Sequence, residues 1–158
     1  MTILRFLLLS LVFITASNLY AQLTQRADYS VVLPAGSKLE ADDPDIDADH
    51  YTSITLPDGN TLTIVVVDEV ASTYGVYKTM VAGLEENAGG KAEKTDLFAK
   101  ISGEGVVIRG KANGMKIVMI TGYVKGAKGF VFGASYLEIE KEKSLKLIRD
   151  TINSFKEG

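Results

Sequence analysis

The chain has 158 residues, with 17 Lys and Arg against 20 Asp and Glu, one His, no Cys and a formal net charge of −3. The lack of Cys excludes disulfides, thiolate zinc sites and thiol nucleophiles, and a single His excludes a His-pair metal site. With 46% hydrophobic and 23% charged residues, the expectation at this length is one globular domain with a substantial core.

Residues 1–21 read as an export signal. Arg5 is the only charge before Arg26, and Phe6 to Ala16 is an apolar run of signal-peptide length, too short to cross a bilayer core of about 30 Å. Ser17 to Ala21 supplies a polar break and a small final residue, so cleavage is expected after Ala21. Residues 22–158 then form a single domain. No Cys is present to take a lipid, so the expected product is soluble, periplasmic or secreted, and has no stable membrane anchor. Loss of Arg5 moves the net charge to −4, and an acidic balance argues against a nucleic-acid groove.

The stretch up to His50 reads as the most irregular, since Pro34 and Pro44 lie in it and Pro57 just beyond. Within it, Tyr29 to Leu33 is a short strand stopped by Pro34-Ala35-Gly36. Tyr51 to Leu56 alternates, with Thr52, Ile54 and Leu56 on one face. Pro57-Asp58-Gly59-Asn60 is a turn, and Thr61 to Val67 follows as a strand whose Ile64-Val65-Val66-Val67 run suggests burial on both faces. Ser72 or Thr73 can cap a helix carrying Tyr77, Met80, Val81, Leu84 and Ala88, which Gly89-Gly90 ends. Gly75 and Gly83 weaken that helix by about 1 kcal/mol each relative to Ala.

Strand patterns then dominate. Thr95 to Ile101 is a weak strand and Gly105 to Lys111 a better one. Asn113-Gly114 is a hairpin turn leading into Met115 to Val124. Met115, Ile117, Met119, Thr121 and Tyr123 share one face of that strand, and Val118, Ile120 and Val124 the other. Gly126 to Gly129 turns the chain into Phe130 to Leu137, completing a meander. Leu145, Ile148, Ile152 and Phe155 make an amphipathic helical stripe. The fold class is therefore α+β: an antiparallel sheet meander with a helix covering each face, an α/β/α sandwich.

This order resembles the PsbP-like superfamily, which includes PsbP and DcrB-like envelope proteins. The resemblance lies in the hairpin at Leu56-Pro57-Asp58-Gly59, the helix near Tyr77 to Leu84, and the closing run. That run is Lys116-Ile117-Val118-Met119-Ile120, then Gly129-Phe130-Val131-Phe132-Gly133, then Ile148 to Ser154-Phe155-Lys156. It implies a PsbP-like fold and a mostly non-enzymatic accessory or binding role, by analogy.

Residues that could carry chemistry are few. Asp43, Asp45, Asp47 and Asp49 alternate, flanked by Glu40 and Asp42, and in extended chain they share one side. They can serve as a weak Ca²⁺ site or stand as a solvated acidic loop, and the loop is the expectation. EF-hand spacing fails at Ala48 and Ile54. Gly105 to Ala112 imitates a phosphate loop but lacks its final Ser or Thr, so it reads as a strand. Gly103-Glu104-Gly105 lacks a dinucleotide motif's third Gly, Ile108 standing there. His50 with Ser53 matches no nucleophile motif and reads as a surface His at a strand start. Lys125 to Gly129 can hold an anion or be a plain basic turn. Tyr123, Phe130, Phe132 and Tyr136 can line a pocket or pack under the last helix.

The reading that follows is an exported, non-enzymatic accessory or interaction protein of the bacterial envelope, with an unidentified protein partner and no cofactor. The alternative is a small-ligand or Ca²⁺-binding module using the Asp42–Asp49 run or an apolar cleft. A hydrolase would require carboxylates from distant strands to converge in one cleft.

Overall fold

The computed structural model describes residues 22–40 and 50–158. Among these described residues, ten strands and two helices form an α+β fold. They are β1 (Gln22–Gln25), β2 (Tyr29–Leu33), β3 (Lys38–Leu39), β4 (Tyr51–Thr55), β5 (Thr61–Val67), α1 (Thr73–Ala88), β6 (Ala92–Thr95), β7 (Glu104–Ala112), β8 (Met115–Lys125), β9 (Gly129–Leu137), α2 (Lys141–Asn153) and β10 (Lys156–Glu157). A seven-stranded antiparallel sheet runs in the order β3-β4-β5-β9-β8-β7-β6, and β1-β2-β10 make a second, three-stranded sheet.

The hairpins form where the turn residues demand them. Gly59 sits at φ 83°, and the backbone N–H of Leu56 closes on the Asn60 carbonyl at 2.7 Å. Asn113 and Gly114 both take positive φ, 51° and 79°, as a type I′ turn requires. Strands β7, β8 and β9 form the expected meander. Strand β5 departs from expectation: Leu62, Ile64 and Val66 are buried, but Val65 and Val67 are only half-buried. Its second face is left partly uncovered.

One face of the large sheet carries the main core. Ile54, Leu62, Ile64, Val118, Ile120, Phe130 and Phe132 meet Ile148 and Ile152 of α2 there. The expected stripe is confirmed, with Phe155 packing just past the end of α2. This face is covered by more than the predicted helix. Tyr29, Val31 and Leu33 of β2 join the same core, so the small sheet lies beside α2 as part of the layer. Aromatic contacts knit the two sheets: Phe155 stacks on Tyr29 at 5.6 Å and meets Phe130 at 4.9 Å and Phe132 at 5.2 Å.

The segment expected to be a strand over Thr95 to Ile101 is not one. β6 ends at Thr95, and a 3₁₀ turn at Ala99–Ile101 follows. Between them Leu97 and Phe98 enter the main core. The sheet has room for Phe98 because Gly105 and Gly122 face each other across β7 and β8, and a Cβ on either would overlap the ring.

Helix α1 lies on the opposite face, over β7, β8 and the start of β9. Gly89 ends it in the left-handed conformation at φ 66°, its N–H bonded to the Glu85 carbonyl at 2.9 Å. Ser72 does not cap it: its hydroxyl donates to the Glu69 carboxylate at 2.8 Å instead. The helix touches the sheet most closely at its two ends. Thr73 packs on Gly129, and Ala88 on Gly110, neither glycine having space for a Cβ. Between them Tyr77 packs on the Tyr123 ring at 4.7 Å, while Val81 and Leu84 lean on the satellite core of Ile108 and Met119.

Candidate functional site

Helix α1 covers β7 and β8 but not β5, so a cleft of about 320 Å³ opens between the helix and the sheet. Met80 and Leu84 line it from α1, Met119 from β8, Thr61 and Thr63 from β5, and Gly133 and Ser135 from β9. Strand periodicity puts these residues together. Thr63 pairs with Gly133 and Met119 with Ser135, all on the face turned away from the main core. A second hollow of about 640 Å³ continues along α1, lined by Ser72, Gly75, Val76, Thr79 and Met80. Met80 is common to both, so the two form one groove along the helix.

Polar groups in the groove are hydroxyls. Thr63 donates to the Gly133 carbonyl at 3.1 Å, and Thr121, on the groove's deep side, donates to the Phe132 carbonyl at 2.8 Å. Gly133 is small for a reason: a Cβ there would press on the Thr63 hydroxyl. None of the residues lining either hollow is titratable, and two are methionines, whose unbranched side chains adapt to irregular shapes.

A second polar centre gathers residues singled out in the sequence. His50 Nε2 lies 2.7 Å from Asp68 Oδ2, and Lys128 Nζ donates to Asp68 Oδ1 at 2.9 Å and to Asp28 Oδ2 at 3.2 Å. Lys128 and His50 hold the Asp68 carboxyl below its ordinary value of 3.8, and Asp68 and Asp28 push Lys128 up. The Lys125–Gly129 turn does hold an anion, but an internal one: the Lys128 backbone N–H donates to Glu157 Oε1 at 2.9 Å. This centre ties the end of β5 and the β8–β9 turn to the small sheet. Asp68 is depressed, so its contribution is present above the ordinary carboxyl value and is lost as pH falls through the lower folded value. Thermal melts across acid pH should show wild type above Asp68→Asn at neutral pH, with the gap closing below 3.8. The exposed setting keeps the gap small and salt-sensitive.

His50 and Ser53 do not act together. The Ser53 hydroxyl donates to Glu40 Oε2 and Thr55 to Glu40 Oε1, both at 2.8 Å, which lowers the Glu40 carboxyl. Gly105 to Ala112 lies within β7, as a strand. Asp43, Asp45, Asp47 and Asp49 lie outside the described residues. Among the described residues, no three His, Asp or Glu side chains gather as metal ligands. No helix among them is long and apolar enough to cross a membrane.

The expected aromatic group divides. Phe130, Phe132 and Tyr136 pack in the main core near α2, but Tyr123 points to the other face. Its register partner is Val131, one position out of phase with Phe130 and Phe132. There it meets Tyr77 at 4.7 Å and Tyr74 at 5.6 Å. Burial raises both the Tyr77 and Tyr123 hydroxyls, the other tyrosines and Glu104 adding to it. Lys125 Nζ stands 5.9 Å from the Tyr74 ring centre and 5.7 Å from that of Tyr123, and Lys78 Nζ stands 5.9 Å from Tyr74. This cluster was not read from the sequence. The spacing of Tyr74, Tyr77 and Lys78 on one helical face was the available signal.

No family model matches the chain, and no curated protein matches its sequence. Solved structures match its shape. A Bacteroides thetaiotaomicron crystal structure superposes with a TM-score of 0.53 at 10% identity, covering 82% of this chain; the chain spans only 45% of that one. LpqN of Mycobacterium tuberculosis, described as involved in cell envelope biogenesis, superposes with a TM-score of 0.53 at 13% identity, covering 87% of this chain and 90% of its own. The solution structure of cyanobacterial PsbP (CyanoP) from Synechocystis gives a TM-score of 0.48 at 13% identity, with coverages of 89% and 94%. At these identities the likeness is one of fold alone: an α+β domain.

Proposed function

We propose that the chain is an exported, non-enzymatic binding protein of the cell envelope, and that its working surface is the groove between α1 and the β5–β9 face. The observation that carries this reading is the groove's lining. Methionine, leucine and small hydroxyl side chains surround it, with no titratable group to transfer a proton or to activate a nucleophile. Such a surface suits an apolar or linear ligand fixed by a few hydroxyls. The apolar run at Phe6 to Ala16 supports export, and a fold shared with LpqN supports an envelope setting.

The test is titration with the apolar fluorescent dye N-phenylnaphthylamine. Saturable binding is expected. Ser135→Phe, at an exposed position on the rim, fills the groove and should weaken binding by about tenfold or more, roughly 1.4 kcal/mol, while its melting curve stays close to wild type. Dye binding unaffected by Ser135→Phe would overturn the assignment of this groove.

A further inference from the structure

We propose that the Tyr74–Tyr77–Tyr123 cluster, with Lys78 and Lys125, docks the protein on an anionic phospholipid surface. The inference rests on residues outside the groove's β5–β9 portion and does not require the binding function proposed above.

Three observations converge. Tyr74 is 46% exposed, so the first turn of α1 presents an aromatic ring to solvent beside the two lysines. Tyrosine pairs an apolar body with a polar tip, which suits it to the headgroup boundary of a bilayer. The two ammonium groups stand over the ring faces, and among the described residues neither Lys78 nor Lys125 has a carboxylate within ion-pairing distance. Their neighbour Lys128 differs, being held between Asp28 and Asp68. Glu104 acts on the Tyr77 and Tyr123 hydroxyls, and Glu157 is engaged by the Lys128 backbone N–H, which leaves Lys78 and Lys125 as the charged groups at the Tyr74 ring.

Charge complementarity thus selects an anionic partner, and the exposed Tyr74 ring selects one with an apolar boundary. An acidic peptide in solution would satisfy the lysines and leave the apolar part wet. A lipid surface takes both, with the lysine stems extended and their heads among the phosphates.

Co-sedimentation with vesicles tests this, comparing a phosphatidylcholine–phosphatidylglycerol mixture with pure phosphatidylcholine. The apolar run at Phe6 to Ala16 is common to every variant, so differences between variants decide the outcome. Wild type should partition onto the anionic vesicles and be released by salt. Lys78→Gln with Lys125→Gln should lose about thirtyfold in partition, roughly fivefold per lysine. Tyr74→Ala should also weaken it, while Lys141→Gln with Lys143→Gln on α2 should not. The four lysines are exposed, so the melting curves of the lysine variants should match wild type. Equal partition of the Lys78/Lys125 variant and wild type would overturn the proposal. So would retention on soluble polyglutamate without vesicle binding, which would point to an acidic protein partner.

Discussion

Replacing Phe98 by Ala should lower the unfolding free energy by about 3–5 kcal/mol, seen as a lower urea midpoint at unchanged slope. Phe98 is 1% exposed, and its ring lies on the Gly105–Gly122 pair, 5.6 Å from Phe132. The surrounding strands are hydrogen-bonded on both sides and cannot collapse into the space. Gly122→Ala makes the complementary test. In most strand interiors Gly→Ala helps stability, but here the new Cβ would overlap the ring, so the change should cost about 1–3 kcal/mol. In the Phe98→Ala background the same Gly122→Ala change should be neutral or stabilising. The coupling between the two substitutions is thus the discriminating quantity. Simple additivity would mean that the ring does not rest on these glycines.

Phe155→Ala should cost a similar amount, about 3–5 kcal/mol, although the residue lies beyond the last helix. Its ring contacts Tyr29, Phe130 and Phe132, which belong to both sheets. The loss therefore frees β2 and β10 from the large sheet as well as emptying a core site. Phe155→Leu retains much of the apolar volume and should lose less than half as much. A melt in which Phe155→Leu is as damaging as Phe155→Ala would show that ring stacking, not burial, dominates.

Much of this architecture was legible in local pattern. The turns at Asp58-Gly59 and Asn113-Gly114 carry their own backbone requirement, so the β4–β5 and β7–β8 hairpins followed from adjacent residues. Gly89 marked the end of α1, and the Leu145–Phe155 spacing marked the buried side of α2. The elements that escaped lack such signals. In β1 only Thr24 is buried, and β10 is two exposed residues whose pairing with β2 spans most of the chain. Leu97 and Phe98 resemble a strand by composition. The site that receives them is built from two glycines 17 positions apart, visible only once β7 and β8 are in register. The groove was legible only as an unspecified apolar cleft, because its outline depends on where α1 lies across the sheet. The position of α1 is set by Thr73 on Gly129 and Ala88 on Gly110, contacts between residues distant in sequence.

Those two contacts also bear on how fast the groove can respond. A helix seated at both ends has little freedom to swing away, so the space beneath its middle changes shape through rotation of the half-buried Met80 side chain at the groove's mouth. Exposed side-chain rotations take picoseconds to nanoseconds, whereas hinged helices move in microseconds to milliseconds. Entry into the groove then has no slow opening step, and the observed association rate should rise linearly with ligand concentration without reaching a plateau.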